Sequence, residues 1–372
     1  MERKLASVQR VKDVLPIEGA DKIEIVVING WQVVSKKGEF AKGSLVVYFE
    51  IDSWIPTEIA AFLSGDKEPR EYKGVKGERL KTIRLRKQLS QGLVLPLSIV
   101  PVQNSYGLKV GDDLTEALGV LKWEPEEKSL SAQAGGLFPS FLRKTDQDRV
   151  QNIGNMLDPD EEFEMTVKKD GSSMTVFRVD PQSLYYEQAK ALYKQPNKTA
   201  WQKFMEFFKK PKQEAVYGIC SRNILLKLEG ESNFHKAAKP VLESFAKTGY
   251  SFAIQGEVVA PDIQGNFEGV KEVEFHVFDI FHIDSQEYLL PVTRGIIAKD
   301  MNLKHVTVLG TNSLNILTMT QQGDDLVKKL LNLADGPSEG NGKFREGIVM
   351  KSTKRDFPFK CVSNQYLLKT GS

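Results

Sequence analysis

Residues 22–30, KIEIVVING, read as an alternating strand that stops at Asn29-Gly30, a two-residue hairpin signal. WQVVSKKGEF and GSLVVYFEID follow at once, and RLKTIRLRKQLSQGLVLPL and VGDDL come later. Short strands with Gly and Asp turns and little helix point residues 1–120 to a small all-β barrel. In TIRLRK, Ile83 and Leu85 alternate with Arg84 and Arg86, so a strand there carries both arginines on one face and the apolar pair on the other. Such a basic face either grips nucleic acid or is simply solvated.

Residues 121–137, LKWEPEEKSLSAQAGGL, mix charge, Pro, Ser and Gly and read as a linker. The second domain, 138–372, has strand patterns at 162–168, 172–179, 215–220, 251–259, 273–281 and 346–351, and helix patterns at 201–210, 234–247 and 323–333. Strands and helices mix without regular βαβ alternation, which predicts an α+β domain with antiparallel sheets. The predicted chain is therefore multidomain. Residues 186–212 hold seven lysines and two glutamates, with Trp201, Phe204, Phe207 and Phe208 at near-helical spacing. They read as a basic amphipathic insertion, facing either a phosphate backbone or solvent.

At 372 residues the chain is comfortable for two domains. A net charge of +2 means that any basic surface is local. Two cysteines, Cys220 and Cys361, exclude a disulfide framework and a Cys-rich zinc site, and fit a reducing compartment. His235, His276, His282 and His305 lack metal-ligand spacing. MERKLASVQRVKDVLPIEG has no signal-like apolar run, and no segment approaches the ~18 apolar residues of a membrane span. A soluble intracellular protein, cytoplasmic or nuclear, is expected.

The chemistry centres on MTVKKDGSSMTVF, residues 165–177. On a strand, Lys168 and Asp170 share a face and Lys169 points the other way, toward solvent. A lysine amine is a nucleophile only when deprotonated, so its ordinary pKa near ~10.4 must be lowered by burial or nearby cations. Alone, Lys168-x-Asp170-Gly171 also fits a turn with solvated lysines. It is followed in order by CSRNILLK with Ser221, Arg222 and Asn223, IQGEVV with Glu257, EFHVFDIF with Phe278, REGIVMKS with Glu346 and Lys351, and FKCVSNQYLLK with Lys360. GPSEGNGKF, 336–344, lacks P-loop spacing and reads as the turn before Glu346.

This ordered series over residues ~138–372 resembles the nucleotidyl-transfer motifs of covalent nucleotidyltransferases: ATP-dependent DNA and RNA ligases and mRNA capping enzymes. GADKIEIVVINGWQVVSKKGEFAKGSLVVYFEID, LSQGLVLP and FPSFLRKTDQDRVQN resemble the branch of ATP-dependent RNA ligases that carries an N-terminal OB domain. Twelve residues follow Lys360, too few for the C-terminal OB domain of DNA ligases and capping enzymes. The resemblance implies an ATP-dependent RNA ligase that uses ATP with Mg2+ or Mn2+ and seals 3′-OH and 5′-phosphate RNA ends through lysyl-AMP and RNA-adenylate. It implies Lys168 as nucleophile and Asp170, Glu257 and Glu346 around the metal. Lys351 and Lys360 would lie at the α-phosphate, and Phe278 would stack on adenine with Phe281 as the next candidate. Arg222 would meet the nucleotide or RNA phosphate, and Arg149 the triphosphate tail or RNA end, with Gly171 closing the nucleotide-binding set. The N-terminal domain would grip the strand that supplies the 3′-OH. A monomer acting on nicked or broken RNA is expected, with DNA on one side left open. Two departures from the pattern are Val362, where many ligases carry a second lysine, and Val167, where several relatives have an acidic residue. A non-catalytic RNA-binding protein with a degenerate transferase domain and a capping-type guanylyltransferase are the alternatives.

Overall fold

The computed structural model describes residues 3–124, 133–193, 214–247, 251–323, 325–340 and 344–371. The predicted helix at 201–210 lies outside them. In the N-terminal part, β1 (Ala6–Pro16), β2 (Ile23–Ile28), β3 (Trp31–Lys36) and β4 (Leu45–Phe49) are joined by β10 (Leu93–Pro96) in a sheet of order β10-β4-β1-β2-β3. A register shift between Val11 and Asp13 bends β1, so that its first half pairs with β4 and its second with β2. An extra residue in one strand increases local twist, and here it curls the sheet into the half-barrel of an OB fold. β5 (Ser53–Pro56), β6 (Arg70–Tyr72), β7 (Val75–Arg79) and β11 (Leu121–Lys122) make a second sheet. Leu121–Lys122 thus belongs to this sheet, pairing with Trp54 and Ser53.

β8 (Thr82–Leu85) and β9 (Gln88–Gln91) form a separate hairpin. Along β8, Ile83, Arg84 and Leu85 are all exposed, Ile83 at 46% and Leu85 at 40%, so the apolar pair is no more covered than the basic face.

The second part has two sheets. β12 (Ala134–Leu137), β15 (Ser172–Val179), β16 (Val216–Cys220), β17 (Ile224–Leu226), β18 (Phe252–Val259), β19 (Glu274–His282) and β20 (Glu287–Tyr288) build one, in the order β12-β17-β16-β15-β18-β19-β20. β13 (Asp148–Arg149), β14 (Glu162–Lys168), β21 (Val308–Ser313), β22 (Gly347–Ser352) and β23 (Pro358–Val362) build the other, in the order β13-β23-β22-β14-β21. Pairing is antiparallel except between β13 and β23. Helix Asn233–Phe245 buries Phe234, Ala237, Ala238, Val241 and Phe245, a 3–4 spacing that lays one stripe on Val176, Ile254 and Val277. Helix Leu326–Ala334 covers the smaller sheet with Val327, Leu330, Leu331 and Ala334. This is the predicted α+β architecture. Among the described residues no helix is long and apolar enough to cross a membrane.

The two parts share a core. Val362, Tyr366 and Leu367 pack with Val11, Val26, Trp31 and Tyr48. The Trp31 indole N–H donates to Asn152 Oδ1 at 2.6 Å. At the Asn29-Gly30 tip, the Gly30 N–H donates to the Gln151 carbonyl at 3.1 Å. A Cβ on Gly30 would stand 2.9 Å from the Gln151 Cα, so the hairpin glycine is required by the close approach of another backbone.

Candidate active site

β14 ends at Lys168 in the smaller sheet and β15 begins at Ser172 in the larger one, so residues 169–171 are the bend that joins the two sheets. The register then gathers the motifs. Lys168 pairs with Gly347, which brings Glu346 beside it. Ser173 pairs with Glu257 on β18. Val349 pairs with Lys360 and Arg149 runs parallel to Lys360, so both cations lie on the far side of β22. Gly171 is needed at the bend because a Cβ there would strike the Val258 carbonyl oxygen and crowd the Glu257 stem at 2.9 Å.

Lys168 Nζ donates to Glu346 Oε1 at 2.6 Å. Burial lowers the Lys168 pKa, but Glu346, Glu257 and Asp170 outweigh it, and the net direction is upward. The carboxyls move up as well. Burial and the Glu346 charge push Asp170 to about 7 against the pull of Lys168. Burial, Glu346 and Asp170 push Glu257 to about 8 against Lys168 and Arg222. Glu346 Oε2 is buried without a hydrogen-bond partner. This is one ammonium among three acids, short of positive charge.

Among the described residues, no three His, Cys, Asp or Glu side chains converge closely enough to enclose an ion unaided. The orphaned Glu346 oxygen and the two acids held near neutrality nevertheless fit a hard cation completed by water and phosphate oxygens, the usual manner for Mg2+.

The cations form a second group. Arg149 is buried and donates to Asp52 Oδ2 at 3.3 Å, while its Nε and Nη1 have no partner. Burial and Arg3 pull its pKa below the ordinary value. Lys360 is brought down to about 7 by burial, with Arg149, Arg3 and Lys168 adding and Asp146 opposing. Lys360 and Arg222 both approach Asp146, at 3.4 Å each. Buried donors without partners invite an anion. Val362, in the place of the usual second lysine, faces Trp31 and Tyr48 in the shared core.

Lys351 stands apart from Lys168. It pairs in register with Glu164, and its ammonium is bound by Asp279 Oδ2 at 2.5 Å and the Phe278 carbonyl at 2.6 Å. Burial lowers its pKa to about 8 despite Asp279. Phe278 is half-buried beneath Lys351, whose Nζ lies 5.8 Å from the ring centroid. It is the extra residue of a β-bulge, since Gln255 pairs with Asp279 and Gly256 with Val277. Bulges re-aim side chains, and here Phe278 falls on the half-buried face with Glu274 and His276 while Asp279, Ile280 and Phe281 after it are buried. Phe281, the next aromatic candidate, is corrected to a core residue: it is fully buried against Tyr288.

Lys169 also departs from expectation. It is half-buried, with Nζ 2.8 Å from Glu268 and 2.9 Å from Glu339. Glu268 Oε1 also accepts the Asp170 N–H at 3.0 Å. Tyr366 hydrogen-bonds the Asp170 carboxylate from the C-terminal helix. Glu268, Tyr366, Asp146 and Asp279 escaped sequence reasoning. Only Asp279 had a local signal, a lone acid within an apolar strand, because a buried charge needs a partner. Cys220 and Cys361 are fully buried, in keeping with filler roles.

An RNA ligase family model matches residues 161–362, and an OB-fold domain model matches residues 5–97. Among solved structures, a mutant of Naegleria gruberi RNA ligase with ATP and Mn is 37% identical, with a TM-score of 0.81 and 98% of each chain covered. Naegleria gruberi RNA ligase with PPi is 37% identical, with a TM-score of 0.80 and 98% of each chain covered. A further mutant of that ligase, with AMP and Mn, gives the same identity, coverage and score. No curated protein sequence matches the chain.

Proposed function

The chain belongs to the RNA ligase family, and on that premise we propose that it is an ATP-dependent enzyme that joins a 3′-OH and a 5′-phosphate RNA end through a lysyl-AMP on Lys168. The observation that carries this reading is the Lys168–Glu346 hydrogen bond inside the Asp170, Glu257 and Glu346 cluster. Lys168 Nζ gives up a proton and attacks the α-phosphorus of ATP. A P–N bond forms as the bond to pyrophosphate breaks. AMP then passes to the 5′-phosphate of an RNA end, and the 3′-OH attacks that adenylate and releases AMP. The three transfers share one site, so the protein contributes positioning and charge neutralisation.

Glu346 orients the Lys168 amine, and Asp170 and Glu257 complete the acidic side. These three acids would hold a divalent cation, Mn2+ or Mg2+, whose chemistry is to screen phosphate charge and favour the neutral amine. Lys360 and Arg149 offer donors to phosphate oxygens, and Arg222 extends the same cationic edge. Phe278 offers a ring face to adenine, with Lys351 fixing the strand beneath it. Residues 1–120 would grip the strand that carries the 3′-OH, with 138–372 as the transferase domain and 121–137 between them. A monomer within the cell, acting on nicked or broken RNA, is the proposed form, with DNA on one side of the break left open. Light scattering and substrates with deoxynucleotides on either side check it.

The decisive experiment incubates the protein with α-labelled ATP and Mn2+ or Mg2+. Label retained on the protein and absent from Lys168→Ala is expected, followed by sealing of a nicked RNA. A wild-type protein that takes no label, or a Lys168→Ala protein that labels equally, sinks the reading.

A further inference from the structure

Asp170 stands where neither sheet holds it. The β14 ladder ends at Lys168 and the β15 ladder begins at Ser172, so residues 169–171 fall between the two. Two distant groups grip Asp170 instead. Glu268 Oε1 accepts its backbone N–H at 3.0 Å, and Tyr366 hydrogen-bonds its carboxylate from the C-terminal helix, Asn364–Thr370. The other Glu268 oxygen takes Lys169 Nζ at 2.8 Å, so one carboxylate fastens two successive residues of the bend. The two grips are themselves joined. Phe267, next to Glu268, packs edge-on against the Tyr366 ring with centroids 5.2 Å apart. Asp170, Glu268, Phe267 and Tyr366 thus close a ring of contacts.

The loop that carries Glu268 joins β18, which bears Glu257, to β19, which bears Phe278. Its backbone is held against its preference. Gln264, Gly265 and Asn266 are three successive residues in the left-handed region, with φ of 47°, 64° and 53°. Two of them carry side chains, for which that conformation is unfavourable. Asn266 offsets the cost by bonding both backbone groups of Val270, at 2.9 and 3.0 Å. A Cβ on Gly340 would strike the Glu268 carbonyl oxygen, so the loop before Glu346 closes on the same point. Such conformations persist where the surroundings over-determine position. An apolar side chain would fill this buried place more cheaply than a paired carboxylate. What the carboxylate adds is the acceptor for the Asp170 N–H.

We propose that Glu268 is a positioning residue for the chemistry at Lys168. It fixes the Asp170 backbone while Tyr366 fixes the carboxylate, and together they set where that acid faces Lys168, Glu257 and Glu346. Lys169 serves to balance the Glu268 charge. The reaction that is served rests on the lysyl-AMP reading, whereas the placement of Asp170 rests on the contacts alone. Groups that orient the acids of a phosphoryl-transfer site matter because small misplacements slow the reaction steeply.

Removing Glu268 alone would leave Lys169 unpaired, so the test starts from Lys169→Ala. Lys169→Ala and Lys169→Ala/Glu268→Met differ at the bend by the acceptor for the Asp170 N–H. Three quantities are read: the rate at which α-labelled ATP labels Lys168, the Mn2+ concentration for half-maximal labelling, and hydrogen exchange of the peptide spanning residues 165–173. Lys169→Ala is expected to label near the wild-type rate. The Met double variant is expected to label about tenfold more slowly, to need several-fold more Mn2+ and to exchange faster across the bend. It should nevertheless melt higher than Lys169→Ala, because the unpaired buried acid is gone. Slower labelling in the more stable protein separates positioning from mere stability. Lys169→Ala/Glu268→Gln, whose amide oxygen accepts the same N–H, is expected to recover most of the loss. If the Met double variant labels and exchanges as Lys169→Ala does, or if Gln recovers nothing, the proposal is overturned. A wild type that takes no label sinks the lysyl-AMP reading instead, and the exchange comparison still decides whether Glu268 holds Asp170.

Discussion

Lys168 Nζ donates to Glu346 Oε1 across 2.6 Å, although 178 residues separate them. The strand register that pairs Lys168 with Gly347 makes this contact obligatory. Glu346→Gln keeps a hydrogen-bond acceptor and removes the charge, whereas Glu346→Ala removes both. The expected order of lysine labelling by α-labelled ATP is wild type, then Glu346→Gln lower by about tenfold or more, with Glu346→Ala lower still. Equal rates in all three would mean that the contact is incidental.

The titrating groups predict a stability minimum near neutral pH in the absence of metal and nucleotide. Asp170 and Glu257 are raised to about 7 and about 8. From about pH 4 to 8, therefore, the folded chain holds protons that the unfolded chain has released, and stability falls as pH rises. Lys360 and Lys351 are lowered to about 7 and about 8. From about pH 7 to 10 the unfolded chain holds more protons, and stability rises with pH. Melting curves in EDTA across pH 5–10 should show the dip. Glu257→Gln should flatten its acid limb and Lys360→Met its alkaline limb.

Much of the architecture is local and was therefore readable. The strands at 162–168 and 172–179 and the helix near 234–247 follow from periodicity that needs no knowledge of the partner surface. The residues that meet at the β14–β15 bend were legible only through the ordered motif series and its resemblance to nucleotidyltransferases, not through periodicity. What stayed hidden depends on distant neighbours. Nothing near Lys169 announces Glu268, which is 99 residues away. Nothing in FHVFDIF says that a bulge falls on Phe278 rather than Phe281, since the extra residue is defined only against β18.

Lys169→Ala is expected to be costly to stability. It would leave Glu268 buried with an unpaired charge and remove the tie to Glu339, and breaking a buried pair from one side costs roughly 3 kcal/mol. Urea denaturation measures this directly. The folded fraction should still accept label from ATP, because Lys169 bonds Glu268 and Glu339 rather than Lys168, Glu257 or Glu346. Full stability in Lys169→Ala would mean that Glu268 finds another partner.

Phe278 and Phe281 should separate cleanly. Phe278→Ala removes a half-buried ring and should raise the KM for ATP about tenfold at little cost to melting, given roughly 1–3 kcal/mol for stacking of a base on an aromatic ring. Phe278→Trp should retain most of the affinity. Phe281→Ala empties a fully buried site and should destabilise the fold by about 3–5 kcal/mol. Steady-state labelling combined with thermal melts distinguishes the two.

The shared core predicts that the N-terminal part cannot be removed without consequence for the lysine step. Without residues 1–120, Val362, Tyr366 and Leu367 lose Val11, Val26, Trp31 and Tyr48, and Arg149 loses Asp52, its hydrogen-bonded carboxylate. Tyr366 also positions the Asp170 carboxylate. The truncated chain should therefore label with ATP much more slowly as well as fail to seal. A gentler test keeps the whole chain. Trp31→Phe preserves most of the packing but removes the donor to Asn152, at a cost of about 1 kcal/mol. Trp31→Ala opens the interface itself and should cost about 3–5 kcal/mol. If labelling falls in step with the loss of that interface across the three proteins, the N-terminal barrel supports the Lys168 site. Unchanged labelling in the truncated chain would confine its role to the nucleic acid.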